Sequence, residues 1–99
     1  MVYSLTEKLN FEENPKIQIK DKTITVKADA ETALKLVDIL DREGEMRASI
    51  KASELLFSPK DQKTIASLGL NMKDYSVLLT TAISLCLGTD PDEDKNSEL

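Results

Sequence analysis

Side chains that carry most enzyme chemistry are scarce in this 99-residue sequence. It contains no histidine. That removes the usual general acid–base and every Ser-His or Cys-His nucleophile pair. The one cysteine, Cys86, cannot build a structural zinc site or an internal disulfide. Among the aliphatic residues of its segment it reads as a core thiol, made inert by apolar surroundings. Gly44, Gly69 and Gly88 are isolated, so they read as helix terminators and not as a phosphate-cradling loop. Carboxylates remain, as Glu12-Glu13 and as the run Asp90-Pro91-Asp92-Glu93-Asp94. The run lacks the glycine that a calcium loop needs for its sharp turn. Exposed acid pairs are solvated charge far more often than catalysts, so no enzymatic activity, cofactor or metal is expected. A small enzyme using carboxylates is a third reading, beside two protein-binding ones.

Basic residues do not rescue a nucleic-acid role. Arg42, Arg47, Lys51, Lys60 and Lys63 are interleaved with Glu43, Glu45, Glu54 and Asp61, which makes a solvated face with local ion pairs. Of the net charge of -5, four negative charges fall from Thr89 onward, leaving a nearly neutral body. Such a body neutralises few phosphates, and four aromatic residues offer little base stacking. An aliphatic core, an exposed disordered acidic tail over residues 89–99 and a binding role governed by apolar contact are therefore expected. No signal peptide and no apolar run of about 20 residues is visible, so a cytoplasmic location without membrane contact is the default expectation.

The elements that position these residues follow from periodicity. Residues 1–15 read as an extended N-terminal arm, broken by Asn10 and Asn14-Pro15, with Leu5, Leu9 and Phe11 as anchors onto the body. Residues 16–27 alternate apolar with polar and predict a β-hairpin. A turn centred on Asp21-Lys22 sets Ile19 opposite Ile24 and Ile17 opposite Val26, all on one face. A lone hairpin is marginal in water, so that face must rest on helices.

Four helices are expected, at about 29–43, 45–57, 59–68 and 71–87. Asp29 caps the first, where Ala30, Ala33, Leu34, Val37 and Leu40 recur at helical spacing beside Leu36 and Ile39. Gly44 is its expected terminator. In the second, Met46, Ile50, Ser53 and Phe57 form a stripe that Ala48, Ala52, Leu55 and Leu56 widen. Ser58-Pro59-Lys60-Asp61 is a strong start for the third, with the serine as cap and the aspartate closing a capping box. Ile65, Ala66 and Leu68 form its apolar side. Asn71 opens the last helix and Gly88 closes it. The fold class is α+β, a single domain over residues 16–88: an N-terminal hairpin packed on three to four short helices.

The last helix has the widest apolar arc, roughly 200° at ~100° per residue. One neighbour covers little over half of that. Either this helix sits centrally, or part of its arc meets a partner. Tyr75, Leu78, Ala82 and Leu85 are the candidate partner-binding residues on that arc, and self-association through the same helix to a homo-oligomer is equally allowed.

The order of segments resembles a known family. Phe11-Glu12-Glu13-Asn14-Pro15 leads into an isoleucine-rich hairpin, and Ala28-Asp29-Ala30-Glu31-Thr32 opens a helix. Glu54-Leu55-Leu56-Phe57-Ser58-Pro59-Lys60-Asp61-Gln62 follows, then an aliphatic helix ending in glycine before an acidic tail. From about Phe11 to Gly88 this is similar to the small tail assembly chaperones of tailed bacteriophages and prophages of Gram-positive bacteria. The resemblance implies a protein that binds the tape-measure protein in the host cytoplasm and keeps it soluble during tail and virion assembly. It also implies absence from the finished virion, a longer frameshifted sister product and no catalytic residues. A regulatory protein-binding module of antitoxin or anti-repressor type is the alternative. A protein partner is common to both.

Overall fold

Alternating side chains make Lys16–Ile19 (β1) and Lys22–Thr25 (β2) strands of one antiparallel pair. Their apolar face carries Ile17, Ile19 and Ile24, and the loop that joins them is only Lys20-Asp21. In the computed structural model, which describes residues 1–90, this hairpin is followed by four helices, an α+β arrangement. A single 3-10 turn, Thr6–Lys8, interrupts the otherwise irregular residues 1–15.

The pairing corrects the expected register. Ile17 faces Ile24, and Ile19 faces Lys22, so the turn sits one residue earlier than expected. Lys20 takes the positive φ of 55° that such a short loop demands. The slip is two residues in register. A one-residue slip turns every side chain over, whereas an even slip preserves the faces. Ile24 and the following Val26 are therefore still fully buried, and Val26 donates its N–H to Pro15 O at 2.9 Å.

Helix α1 spans Ala30–Arg42, α2 Glu45–Leu56, α3 Pro59–Ser67 and α4 Met72–Cys86. Three starts are capped as their residue types require. Asp29, Ser58 and Asn71 accept the backbone N–H groups of Thr32, Asp61 and Asp74. Gly44 does not terminate α1 in a left-handed conformation. Glu43, in extended backbone, ends that helix, and Gly44 at φ -66° caps the start of α2. Gly88 does end α4, at φ 78°. Its N–H reaches Leu85 O at 3.2 Å and that of Thr89 reaches Ser84 O at 2.9 Å, the two bonds of a Schellman motif. Thr89, expected to begin the tail, thus belongs to the end of α4. Residues 91–99 of the expected acidic tail lie outside the described residues.

One aliphatic core joins all these elements. Ile24, Val26, Leu36, Ala52, Leu56, Phe57, Leu79, Ala82 and Cys86 meet in it, with Ile17, Ile19, Leu55 and Leu70 packed around the edge. Helix α2 contributes Ala48, Ala52 and Leu56, spaced by four on one stripe. The expected leading stripe is corrected here, because Met46 and Ile50 point to solvent. On α3, Ile65 is buried, but Ala66 is exposed. Lys27 N–H donates to Leu56 O at 2.9 Å and so ties the chain after β2 to the end of α2. Among the described residues no helix is long and apolar enough to cross a membrane.

Candidate partner-binding surface

Among the described residues, titratable side chains do not converge on a site: no group of three or more His, Cys, Asp or Glu side chains is placed to hold a metal ion. Cys86 is only 4% exposed. Burial pushes its thiol up from the ordinary range, and the Asp29 carboxylate adds to the rise. Asp29 itself is held low, chiefly by the hydroxyl of Thr32, which donates to it. Glu43 is lowered by the Lys51 ammonium, 2.6 Å away. Lys35–Glu31 at 3.6 Å and Arg42–Asp38 at 2.7 Å make i,i+4 pairs along the solvent side of α1. These are local pairs on exposed faces, each of small energetic weight.

The α4 residues expected to meet a partner are mostly occupied. Leu78 is 6% exposed and Ala82 is fully buried. Tyr75 and Leu85 are half-buried and packed against the same core. The cause is the central position of α4, which lies against both α1 and α2 and shares a groove with β1. The central position, one of the two placements expected for this helix, thus takes up Leu78 and Ala82, while Met72 and Val77 of the same helix stay exposed. Of the four, Tyr75 faces a 310 Å³ depression shared with Ser53, Gln62, Ile65 and Leu70, and Leu78 lines the groove beside β1.

Helix α1 carries the surplus instead. At ~100° per residue, its apolar side chains from Ile39 through Leu36, Leu40, Ala33, Val37 and Ala30 to Leu34 span roughly 220°. Leu36 is fully buried, and Ala33 packs beside it. The other half of the arc is bare: Leu34 is 72% exposed and Val37 51% exposed, and Leu40, between Leu36 and Ala33, is partly exposed as well. Met46 and Ile50 add a second exposed apolar pair on α2. Scattered single apolar residues on a surface are ordinary, but Leu34 and Val37 lie together on one helix face. The sequence holds the signal for this surface, because Leu34, Val37 and Leu40 stand in the α1 pattern. What it lacks is any mark that separates them from Leu36.

Residues 1–13 add more exposed apolar surface. Leu5, Leu9 and Phe11 were expected to anchor the arm, yet each is at least half exposed. The root of the arm is held instead: Asn14 Oδ1 accepts the N–H of Ala28 at 3.2 Å, two residues before α1 begins.

Comparison of the chain with protein-family models, curated proteins and solved structures returns no match. The resemblance to tail assembly chaperones therefore stands on the order of its segments alone.

Proposed function

We propose that this chain is a non-enzymatic binding protein that receives an amphipathic helix of a protein partner on the bare half of α1. The observation that carries the reading is the pair Leu34 and Val37, more than half exposed on a helix whose opposite side is core. A stripe at helical spacing presents ridges and grooves that another helix fits. The body is nearly neutral, so apolar contact drives the association. Through the segment resemblance, the partner proposed is the tape-measure protein of a phage tail, held soluble in the host cytoplasm while the tail is built. Nucleic acid and membrane have no part in this reading.

Co-expression with helical tape-measure fragments tests it. A soluble complex is expected on size-exclusion chromatography, lost in a Leu34→Ser, Val37→Ser double variant that folds normally. A complex indifferent to that double variant would remove α1 as the surface. Fragments that stay insoluble and unbound would remove the tape-measure protein as the partner. Recovery of a toxin or repressor, through the same α1 residues, would select the regulatory alternative.

A further inference from the structure

The outer edge of β2 is tied to α3 at Thr25, whereas the outer edge of β1 has no such tie among the described residues. Val26 N–H bonds to Pro15 O, so residues 15 and 26 stand at a bonded position of the pair. Along an antiparallel ladder these bonded positions recur at every second residue. Ile17 with Ile24, and Ile19 with Lys22, are then the bonded pairs of the observed register. Residues between them point their N–H and C=O groups outward. On β2 this is confirmed at Thr25, whose outward N–H donates to the Asp61 carboxylate at 3.0 Å. On β1 the outward groups are those of Lys16 and Gln18, both exposed. Among the described residues the sheet has two strands, and no other backbone bond reaches this edge.

An apolar groove of about 390 Å³ runs beneath the open edge. It is lined by Ile17, Ile19, Leu70, Val77, Leu78 and Thr81, with Lys20 and Asp74 also on its wall. No β2 residue lines it. Val77 is 62% exposed there. Unpaired backbone groups above an exposed apolar strip are what an added strand covers.

We propose that a second copy of this chain supplies that strand, with β1 pairing antiparallel to β1 about a two-fold axis through Ile17. The register follows from the outward groups. Lys16 of each copy then lies opposite Gln18 of the other, and each such pair exchanges both of its N–H···O bonds. Ile17 meets its own counterpart at the closer, non-bonded position. No lysine is set against a lysine, whereas a register centred on Gln18 opposes Lys16 to Lys20 and is disfavoured by like charge. Pro15 is compatible, because the N–H it lacks belongs to the β2 side. The two apolar hairpin faces become continuous, and each Val77 is covered at the seam. The result is a four-stranded sheet with α4 of both copies beneath it, in which the open edge of β1 is closed. This inference does not depend on the tail-chaperone reading or on α1.

The test is the mass of the full chain by sedimentation across a concentration series. A reversible dimer is expected. Gln18→Pro removes an outward N–H and leaves the β1–β2 ladder intact, since proline is tolerated where a strand faces solvent. It should weaken the dimer by about tenfold or more, as should Val77→Glu, at an exposed position. Far-UV circular dichroism checks that both variants are folded, and Val77→Glu decides if Gln18→Pro is not. Ile17→Cys should give a disulfide-linked dimer on mild oxidation, because non-bonded partners lie only ~4.5 Å apart at Cα. A monomer at every concentration, or a dimer that neither folded variant weakens, overturns the proposal.

Discussion

The Asp61 carboxylate accepts the backbone N–H of Thr25 at 3.0 Å, and so fastens the outer edge of β2 to the first turn of α3. The same residue donates its own N–H to Ser58 Oγ at 3.2 Å. Expected to close a capping box with Ser58, its side chain instead serves a strand 36 residues earlier in the chain. The hairpin is thereby held over the core by a charge-assisted bond as well as by Ile24 and Val26.

Replacing that carboxylate should loosen the hairpin first. Asp61→Ala is expected to cost about 1–3 kcal/mol, because it leaves the Thr25 N–H without its charged acceptor. Asp61→Asn keeps an oxygen there and should cost less. Urea unfolding gives the stability, and amide exchange at Thr25 reports the bond directly. An unchanged Thr25 exchange rate in Asp61→Ala would show that the strap is not holding.

Acid should weaken the fold through two carboxylates. Asp29 sits below its ordinary value of 3.8, chiefly through the Thr32 hydroxyl bond. Glu43 sits below 4.5, through its bond to Lys51. Their folded values are depressed, so what they contribute is present above the ordinary values and is lost as pH falls through the folded ones. The urea midpoint should therefore decline as pH drops below about 4.5, and decline less in Asp29→Asn, Glu43→Gln. An identical decline in the double variant would assign the acid sensitivity to other groups.

Local rules made much of this fold legible, and tertiary placement hid the rest. The caps Asp29, Ser58 and Asn71 each act within their own first turn, so neighbouring residues suffice to find them. The hairpin faces were legible from parity alone. Its register was not, because Lys20-Asp21 and Asp21-Lys22 are equally poor two-residue turns and an even slip leaves the pattern unchanged. Gly44 was misread since its neighbours do not reveal which helix it bounds. The surface was hardest to read. Leu36 and Val37 are adjacent apolar residues on one helix, yet one is fully buried and the other 51% exposed. Which side of α1 is spent depends on where α2 and α4 pack, and periodicity does not contain that.

Cys86 offers a reporter of core opening. It is buried in the cluster that holds Phe57, and burial suppresses the thiolate that reacts. Labelling of the native chain by a thiol reagent should be slow and should match free cysteine only in denaturant. Phe57→Ala, which empties a site 1% exposed, should cost about 3–5 kcal/mol and speed labelling sharply. Rapid labelling of the unaltered protein would contradict a buried thiol.

Stability and binding should separate between α4 and α1. Ala82 is fully buried in the core that joins α2 to α4, so Ala82→Leu has no free volume to enter and should cost about 1–3 kcal/mol by overpacking. Val37→Ser changes an exposed position and should stay within about 0.5 kcal/mol of the unaltered protein. A partner-binding defect in Ala82→Leu would then track the fraction unfolded and disappear under strongly stabilising conditions. The defect in Val37→Ser would persist with a fully folded chain. Measuring unfolding midpoints and partner capture on the same preparations distinguishes the two. The reverse pattern, stability lost at Val37 and binding alone lost at Ala82, would return the binding role to α4.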